Sequence, residues 1–147
     1  MSELMIESAK VVMADTFKFY LRAHNYHWNI EGADFYQYHT LLENIYEEVF
    51  GAVDTIAEHI RAMDSFVPGS LGRLAELSTL QDEREQPEPL VMLYRLLKDN
   101  EMVLYDIKIA YDAAEAASNH GWSNFLAERM AAHKKHGWML KSTLAPR

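Results

Sequence analysis

The sequence predicts an all-α protein: a four-helix bundle with a short helix in the long connection between its second and third long helices. Three observations predict it. Only 4 prolines and 6 glycines interrupt the chain, the segments between them carry apolar residues at helical spacing with little β-branched alternation, and one stretch alone, "QDEREQPEP", is polar and proline-broken. With 147 residues, 49% apolar and 24% charged, the chain can bury a continuous core and reads as one domain over residues 1–147.

The first helix is expected from Ser2 or Glu3 to Trp28, ending at "NIEG", where Gly32 can take the left-handed conformation common past a helix end. The second should begin near Asp34, its carboxylate capping free amides while Gln37 reaches back as in a capping box, and run to about Met63. At about 100° per residue, Leu41, Ile45, Val49, Ile56, Ile60 and Met63 form its core stripe. Leu71, Leu74 and Leu77 place a short helix within residues 70–80. A third long helix is expected from about Glu88 to Ala117, and "SNHG" turns into a fourth from about Trp122 to Leu144. No repeat, low-complexity tract or linker interrupts this plan.

Charge narrows the function. Fourteen basic against 22 acidic residues give a net charge of −8, which repels a phosphate backbone, and the ending "LKSTLAPR" is no basic tail. Nucleic-acid binding is therefore disfavoured. No apolar run approaches the length of a membrane span, and "MSELMIESAK" carries acids where a signal peptide would be basic and then hydrophobic, so the expected address is the cytoplasm, with no membrane partner. Without cysteine, any metal must be held by oxygen and imidazole.

Opposite the core stripe of the second helix lie His39, Glu43, Glu47, Asp54 and Glu58, with the rings of Tyr46 and Phe50. Such a face is usually just solvated, and a D-x-x-x-E pair like Asp54 and Glu58 is common by chance. The combination carries more weight. Asp54 and Glu58, one turn apart, can present carboxylates to one cation, while His27 and His39 flank the short turn and can meet across the first two helices. Carboxylate with imidazole suits ferrous iron, manganese or zinc better than calcium or magnesium. Yet His39 and Asp54 are separated by roughly 22 Å along a straight helix, so one ion cannot touch both in one chain. If they act together, the second helix must lie antiparallel to its copy in a twofold dimer, and Tyr46 and Phe50 become intersubunit packing.

These residues resemble the Dps family, the mini-ferritins of the ferritin-like superfamily. The matching segment is "HNYHWNIEGADFYQYHTLLENIYEEVFGAVDTIAEHIRAMDSFVPGS", with its HWN and glycine, the histidine twelve residues after His27, and D-x-x-x-E within "DTIAEHI"; "HGWMLKSTL" is similar to the close of the family's fourth helix. The resemblance implies a ferritin-like bundle assembled as a hollow homododecamer from twofold dimers. In it iron is oxidised at subunit interfaces, with hydrogen peroxide preferred over dioxygen, and stored as ferric mineral. It assigns the ferroxidase ligands to His27 and His39 of one subunit and Asp54 and Glu58 of its twofold mate, with zinc or manganese as substitutes for iron. Glu43 resembles the extra acid that helps hold a second iron or start mineral growth, and Glu47 is a further candidate. Trp28 is read two ways, as an electron donor to a reactive intermediate or as packing at the helix end.

The remaining histidines receive other readings. His24 is expected to be a hydrogen-bonded core residue. His133 and His136, with Lys134 and Lys135 between them and no acid at ligand spacing, read as surface, and His59 and His120 take no role. Tyr20, Tyr105 and Tyr111 go to packing or surface. The chain also departs from the family. It lacks the lysine-rich tail of DNA-binding members, and Asn119 and Asn124 stand where many members place pore aspartates, leaving Glu128 as the candidate pore acid.

Three other functions compete with a ferroxidase and iron store. One is a nucleoid-compacting, DNA-protecting protein with a secondary metal site. A diiron oxidase centred inside the bundle would need Glu-x-x-His motifs, and none occurs in the sequence. A plain helical oligomerisation module leaves the four-ligand spacing unexplained.

Overall fold

The computed structural model describes residues 2–146, the side chain of Ser2 excepted. Five helices follow one another: α1 (Ser2–Asn29), α2 (Phe35–Ala62), α3 (Leu71–Leu77), α4 (Pro89–Ala116) and α5 (His120–Leu144). No strand occurs among the described residues, and the all-α bundle with a short helix in its long connection, as expected from the sequence, is the observed fold. Helix α1 packs against α2, α3 and α4, and α4 also packs against α5. The two chain-adjacent pairs, α1–α2 and α4–α5, are joined across the bundle by α1 and α4, with α3 in the crossover.

Local chemistry explains each boundary. Gly32, at φ +125°, makes the turn after α1 at no Cβ cost, and its carbonyl accepts from the Phe35 amide at 3.1 Å. The expected capping box does not form: Asp34 sits at φ −103°, ψ 25° and its side chain caps nothing, because a capping side chain reaches the free amides from an extended backbone. Ser70 does cap α3, its hydroxyl accepting from the Arg73 amide at 3.2 Å. Pro89 opens α4 at a position where the missing N–H costs nothing. Helix α4 ends on Ser118 at φ +56°, with the Asn119 amide bonded back to the Ala114 carbonyl at 2.9 Å. Asn119 then caps α5, accepting from the Trp122 amide at 3.2 Å, so α5 starts at His120, earlier than the sequence suggested.

The core is built from Phe19, Tyr26, Ile30, Leu42, Ile45, Ile56, Ile60, Met92, Leu93, Leu96, Ile107 and Trp122, all essentially without solvent contact. On α2 the buried stripe is Leu42, Ile45, Val49, Ala52, Ile56 and Ile60. Leu41 and Met63, expected there, are only half buried: Leu42 takes the inward position beside Leu41, and Met63 stands just past Ala62, the last residue of α2.

The largest correction concerns α5. His133 has no exposure and His136 only 7%, contrary to the surface reading. Both lie in the sequence of buried positions Trp122, Leu126, Arg129, His133, His136 and Leu140, spaced four and three residues apart, a core register that the intervening lysines obscure. His133 Nδ1 donates to Asn100 Oδ1 at 2.8 Å, while Asn100 Nδ2 donates to the His133 carbonyl at 2.8 Å. Its Nε2 faces Arg129 at 3.3 Å. Glu48 of α2 accepts from Arg129 at 2.5 and 3.0 Å and from His136 Nε2 at 2.7 Å. Burial, then the Arg129 and His136 charges, hold His133 well below its ordinary value, so it is neutral at pH 7. Burial pushes the Glu48 carboxyl up, but the hydrogen bonds from His136 and Arg129 and the Arg129 charge overcome that and hold it below the carboxylate range.

Candidate metal centre

The short link between α1 and α2 sets one histidine near the end of α1 against another near the start of α2. The imidazoles of His27 and His39 stack with centroids 3.6 Å apart and planes 16° from parallel. Each Nδ1 lies 2.8 Å from the other residue's backbone carbonyl, His27 to the His39 oxygen and His39 to the His27 oxygen. A carbonyl only accepts, so both Nδ1 atoms carry the proton and both Nε2 atoms keep a lone pair. This is the second-partner arrangement that orients metal-binding histidines and fixes their tautomer. The carbonyl of His27 is also among those that a helix end leaves without an intrahelical partner, so the lock answers a need of the fold as well.

Glu43, one turn beyond His39, completes a cluster: ligand atoms of His27, His39 and Glu43 lie within 4.8 Å of one another, with His27 Nε2 3.9 Å from Glu43 Oε1. It is the one group of three or more metal-ligating acids and histidines among the described residues. His27 is buried, while His39 and Glu43 are half buried, which leaves the cluster open on its outer side. Two imidazoles and a carboxylate suit a first-row divalent ion and leave coordination positions unfilled.

Asp54 and Glu58 are elsewhere. Both are exposed on α2, three to five turns further along the helix, outside the cluster that contains His39. Glu47 is exposed as well. Asn124 and Glu128 are exposed one turn apart on α5, whereas Asn119 is committed to capping that helix.

Aromatic rings flank the cluster. His24 stacks on Tyr46 at 3.8 Å and 8°, lies 3.9 Å from the Trp28 ring, and hydrogen-bonds the Tyr20 hydroxyl at 2.9 Å; the hydrogen bond is as expected, but the ring is half buried rather than in the core. Burial, then the adjacent His27, lowers its affinity for a proton. Burial and the charges of Glu43 and Glu47 push the Tyr46 phenol up. Sequence reasoning missed the Tyr46–His24 stack, which joins two helices and has no signature in linear spacing. Around this group Trp28 is 59% exposed, Phe50 53% and Tyr36 75%, an apolar rim beside an open polar cluster.

The chain matches the family model described as a ferritin-like domain over residues 10–146. It is similar to DNA protection during starvation protein 2 of Bacillus anthracis, 28% identical over 98% of this chain and 99% of that protein. It is also similar to antigen TpF1 of Treponema pallidum, 31% identical over 94% of this chain and 78% of that protein. Among solved structures, Dps from Thermosynechococcus elongatus superposes with a TM-score of 0.96 at 24% identity, covering 99% of this chain and 93% of that one, a likeness of fold.

Proposed function

The chain belongs to the Dps family of ferritin-like proteins, and from that premise we propose that this mini-ferritin oxidises Fe(II) at sites shared between twofold-related subunits and stores the ferric product inside a hollow dodecamer. One observation carries the reading: the mutual carbonyl lock of His27 and His39, which leaves both Nε2 lone pairs free beside Glu43. The exposed Asp54 and Glu58, too distant to join in the same chain, are supplied by the mate, and the exposed Phe50, Trp28 and Tyr36 are covered in that contact. The setting is the cytoplasm. No helix is long and apolar enough to cross a membrane.

Iron is the substrate. His27 and His39 offer Nε2 donors whose Nδ1 atoms are already held by backbone carbonyls, so iron binding needs no change of tautomer. Asp54 and Glu58 of the mate bring negative charge, which favours the ferric product over the ferrous substrate. Two Fe(II) each lose one electron, hydrogen peroxide takes both, its O–O bond breaks, and two protons complete two waters. Because both electrons go to one peroxide, no hydroxyl radical is released. Dioxygen is the slower alternative oxidant, and zinc and manganese compete for the same ligands. Glu43, and Glu47 beyond it, start hydrolysis and mineral growth; Glu128 steers entering iron; Trp28 is the side chain best placed to give up an electron when a second iron is missing.

Anaerobic addition of Fe(II) and limiting peroxide should consume about two irons per peroxide, the electron balance of a two-electron oxidant, and leave a soluble ferric core. Sharing is tested by complementation. H27A/H39A and D54A/E58A proteins should each be inactive, and co-assembly of the two should restore oxidation, since one site of each mixed dimer is then intact. Failure of the mixture to regain activity would remove the intersubunit assignment.

A second reading, DNA protection by compaction with the metal site secondary, is favoured by the name of the Bacillus anthracis relative. The net charge of −8 opposes it. Clear gel retardation of DNA at physiological salt would promote it over iron storage.

A further inference from the structure

A polar seam fastens the crossover between α3 and α4 into the groove between α1 and α4. Along one face of α1, at steps of three or four residues, stand Asp15, Lys18, Arg22 and Tyr26. Asp15 accepts from the Ser78 hydroxyl and the Thr79 amide, both at 2.8 Å. Lys18 donates to the Leu80 carbonyl at 2.6 Å. Arg22 donates to the Gln81 carbonyl and pairs with Asp99 of α4, and Tyr26 donates to Glu83 at 2.6 Å, which Arg95 also holds at 2.7 Å. From Lys18 onward, donors meet acceptors and cations meet anions.

The Asp15 end lacks that balance. Asp15 has no exposure and Asp106 of α4 only 7%. The Thr79 hydroxyl lies 3.1 and 3.3 Å from the two Asp15 oxygens and 2.6 Å from Asp106 Oδ2. It has one proton for three acceptors. Two ionised carboxylates enclosed around a single hydroxyl would repel each other at low dielectric. The cations nearby are committed: Lys18 and Arg22 on α1 as above, Arg95 on α4 to Glu83, and Arg73 of α3 to Glu76 at 2.7 Å on the exposed side. On α5, Arg129 and His136 are held by Glu48 and His133 by Asn100. Of the remaining charges of the seam, Arg84 is paired with Asp82 at 3.1 Å on the exposed side, and Glu83 and Asp99 are acids. We propose that Asp15 and Asp106 share one proton, and that this proton is the latch holding residues 78–80 in the groove, so that its loss in mildly alkaline solution frees the start of the crossover.

Burial first, and then the hydrogen bond with Asp106, push Asp15 up to about 7, against the lowering effect of Thr79 and Ser78, and the Asp106 charge adds to the rise. The sign follows. A carboxyl whose folded value lies above its ordinary 3.8 gives stability that is whole below 3.8, erodes as the unfolded chain ionises, and is gone once pH passes the folded value. In the native state the change of charge, and so of latch, falls near neutrality. The seam ends at Tyr26, next in sequence to His27, so the device lies on the helix that carries the candidate ligands without touching them.

Hydrogen exchange of the assembled protein, corrected for the intrinsic rise of exchange with pH, tests the latch. Protection of peptides covering residues 78–83 should fall about tenfold between pH 6 and 8 in the wild type, the change expected for one proton over one to two pH units. Asp15→Asn and Asp106→Asn each replace one member of the pair with a neutral amide, which removes the shared proton and the facing like charge, and should hold protection constant over that range. Burial also pushes Asp99 up to about 6, so the infrared readout is a difference: at pH 6 the wild type should show protonated-carboxyl intensity beyond the Asp99 band that remains in either variant. A wild-type segment equally protected at both pH values, or the same fall in both amide variants, overturns the proposal. If one variant does not fold, the other and the infrared band still decide it.

Discussion

Two histidine pairs in this chain share the spacing H-x-x-H, His24 with His27 and His133 with His136, and they end in opposite environments. In the α5 pair every ring nitrogen for which the core provides a neighbour is spent on a side chain: His133 lies between Asn100 and Arg129, and His136 gives its Nε2 proton to Glu48. In the α1 pair His27 spends Nδ1 on a backbone carbonyl and keeps Nε2 free beside Glu43. The difference teaches that neither burial nor spacing marks a ligand. His27 and His136 are equally buried, at 7%, and each hydrogen-bonds through one ring nitrogen; what separates them is that His136 spends Nε2 on a carboxylate already held by Arg129, whereas His27 spends Nδ1 and leaves Nε2 facing Glu43 and His39.

That contrast can be broken most severely by exchanging the losses. H27A/H39A should slow peroxide-driven Fe(II) oxidation by on the order of 100-fold or more, as removal of metal-binding partners does, and should also lower the unfolding midpoint through loss of the two imidazole–carbonyl bonds. In H133A, oxidation per folded site should persist, and denaturant unfolding should show a loss of about 2–4 kcal/mol from the cavity and from stranding Asn100 and Arg129. Equal effects of the two on oxidation would erase the distinction.

A smaller effect sharpens it by pH. His133 is held below its ordinary value of 6.5, so the unfolded chain takes up a proton that the folded one refuses. Its contribution to stability is whole above 6.5 and is lost as pH falls below it, at a slope of up to about 1.4 kcal/mol per pH unit. Unfolding measured from pH 7 to 5 should show this decline, and H133Q, which keeps a donor and an acceptor without titrating, should flatten it.

The smallest test concerns the space around the α5 pair. A Cβ on Gly137 would come within 3.1 Å of Asn100 Nδ2, and Asn100 cannot swing away without releasing both its bonds to His133. Gly137→Ala should therefore cost about 1 kcal/mol net, the strain of overpacking exceeding the helix preference gained. A stabilised variant in thermal unfolding would show that Asn100 is free to move.

The sequence by itself determined the five helices to within a few residues, the turn at Gly32, and the approach of His27 to His39. These rest on helical period, end signals and a short connection, all of which act over a few residues. It also set the distance along α2 that keeps Asp54 and Glu58 away from His39. Tertiary structure alone decided which polar residues are buried and with whom. Glu48 finds Arg129 and His136 across separations of 81 and 88 residues, and Asp15 finds Ser78 across 63. Lys134 and Lys135 made the α5 pair look like surface because composition is read locally, whereas the need to satisfy a buried polar group is met by whichever helix packing brings alongside.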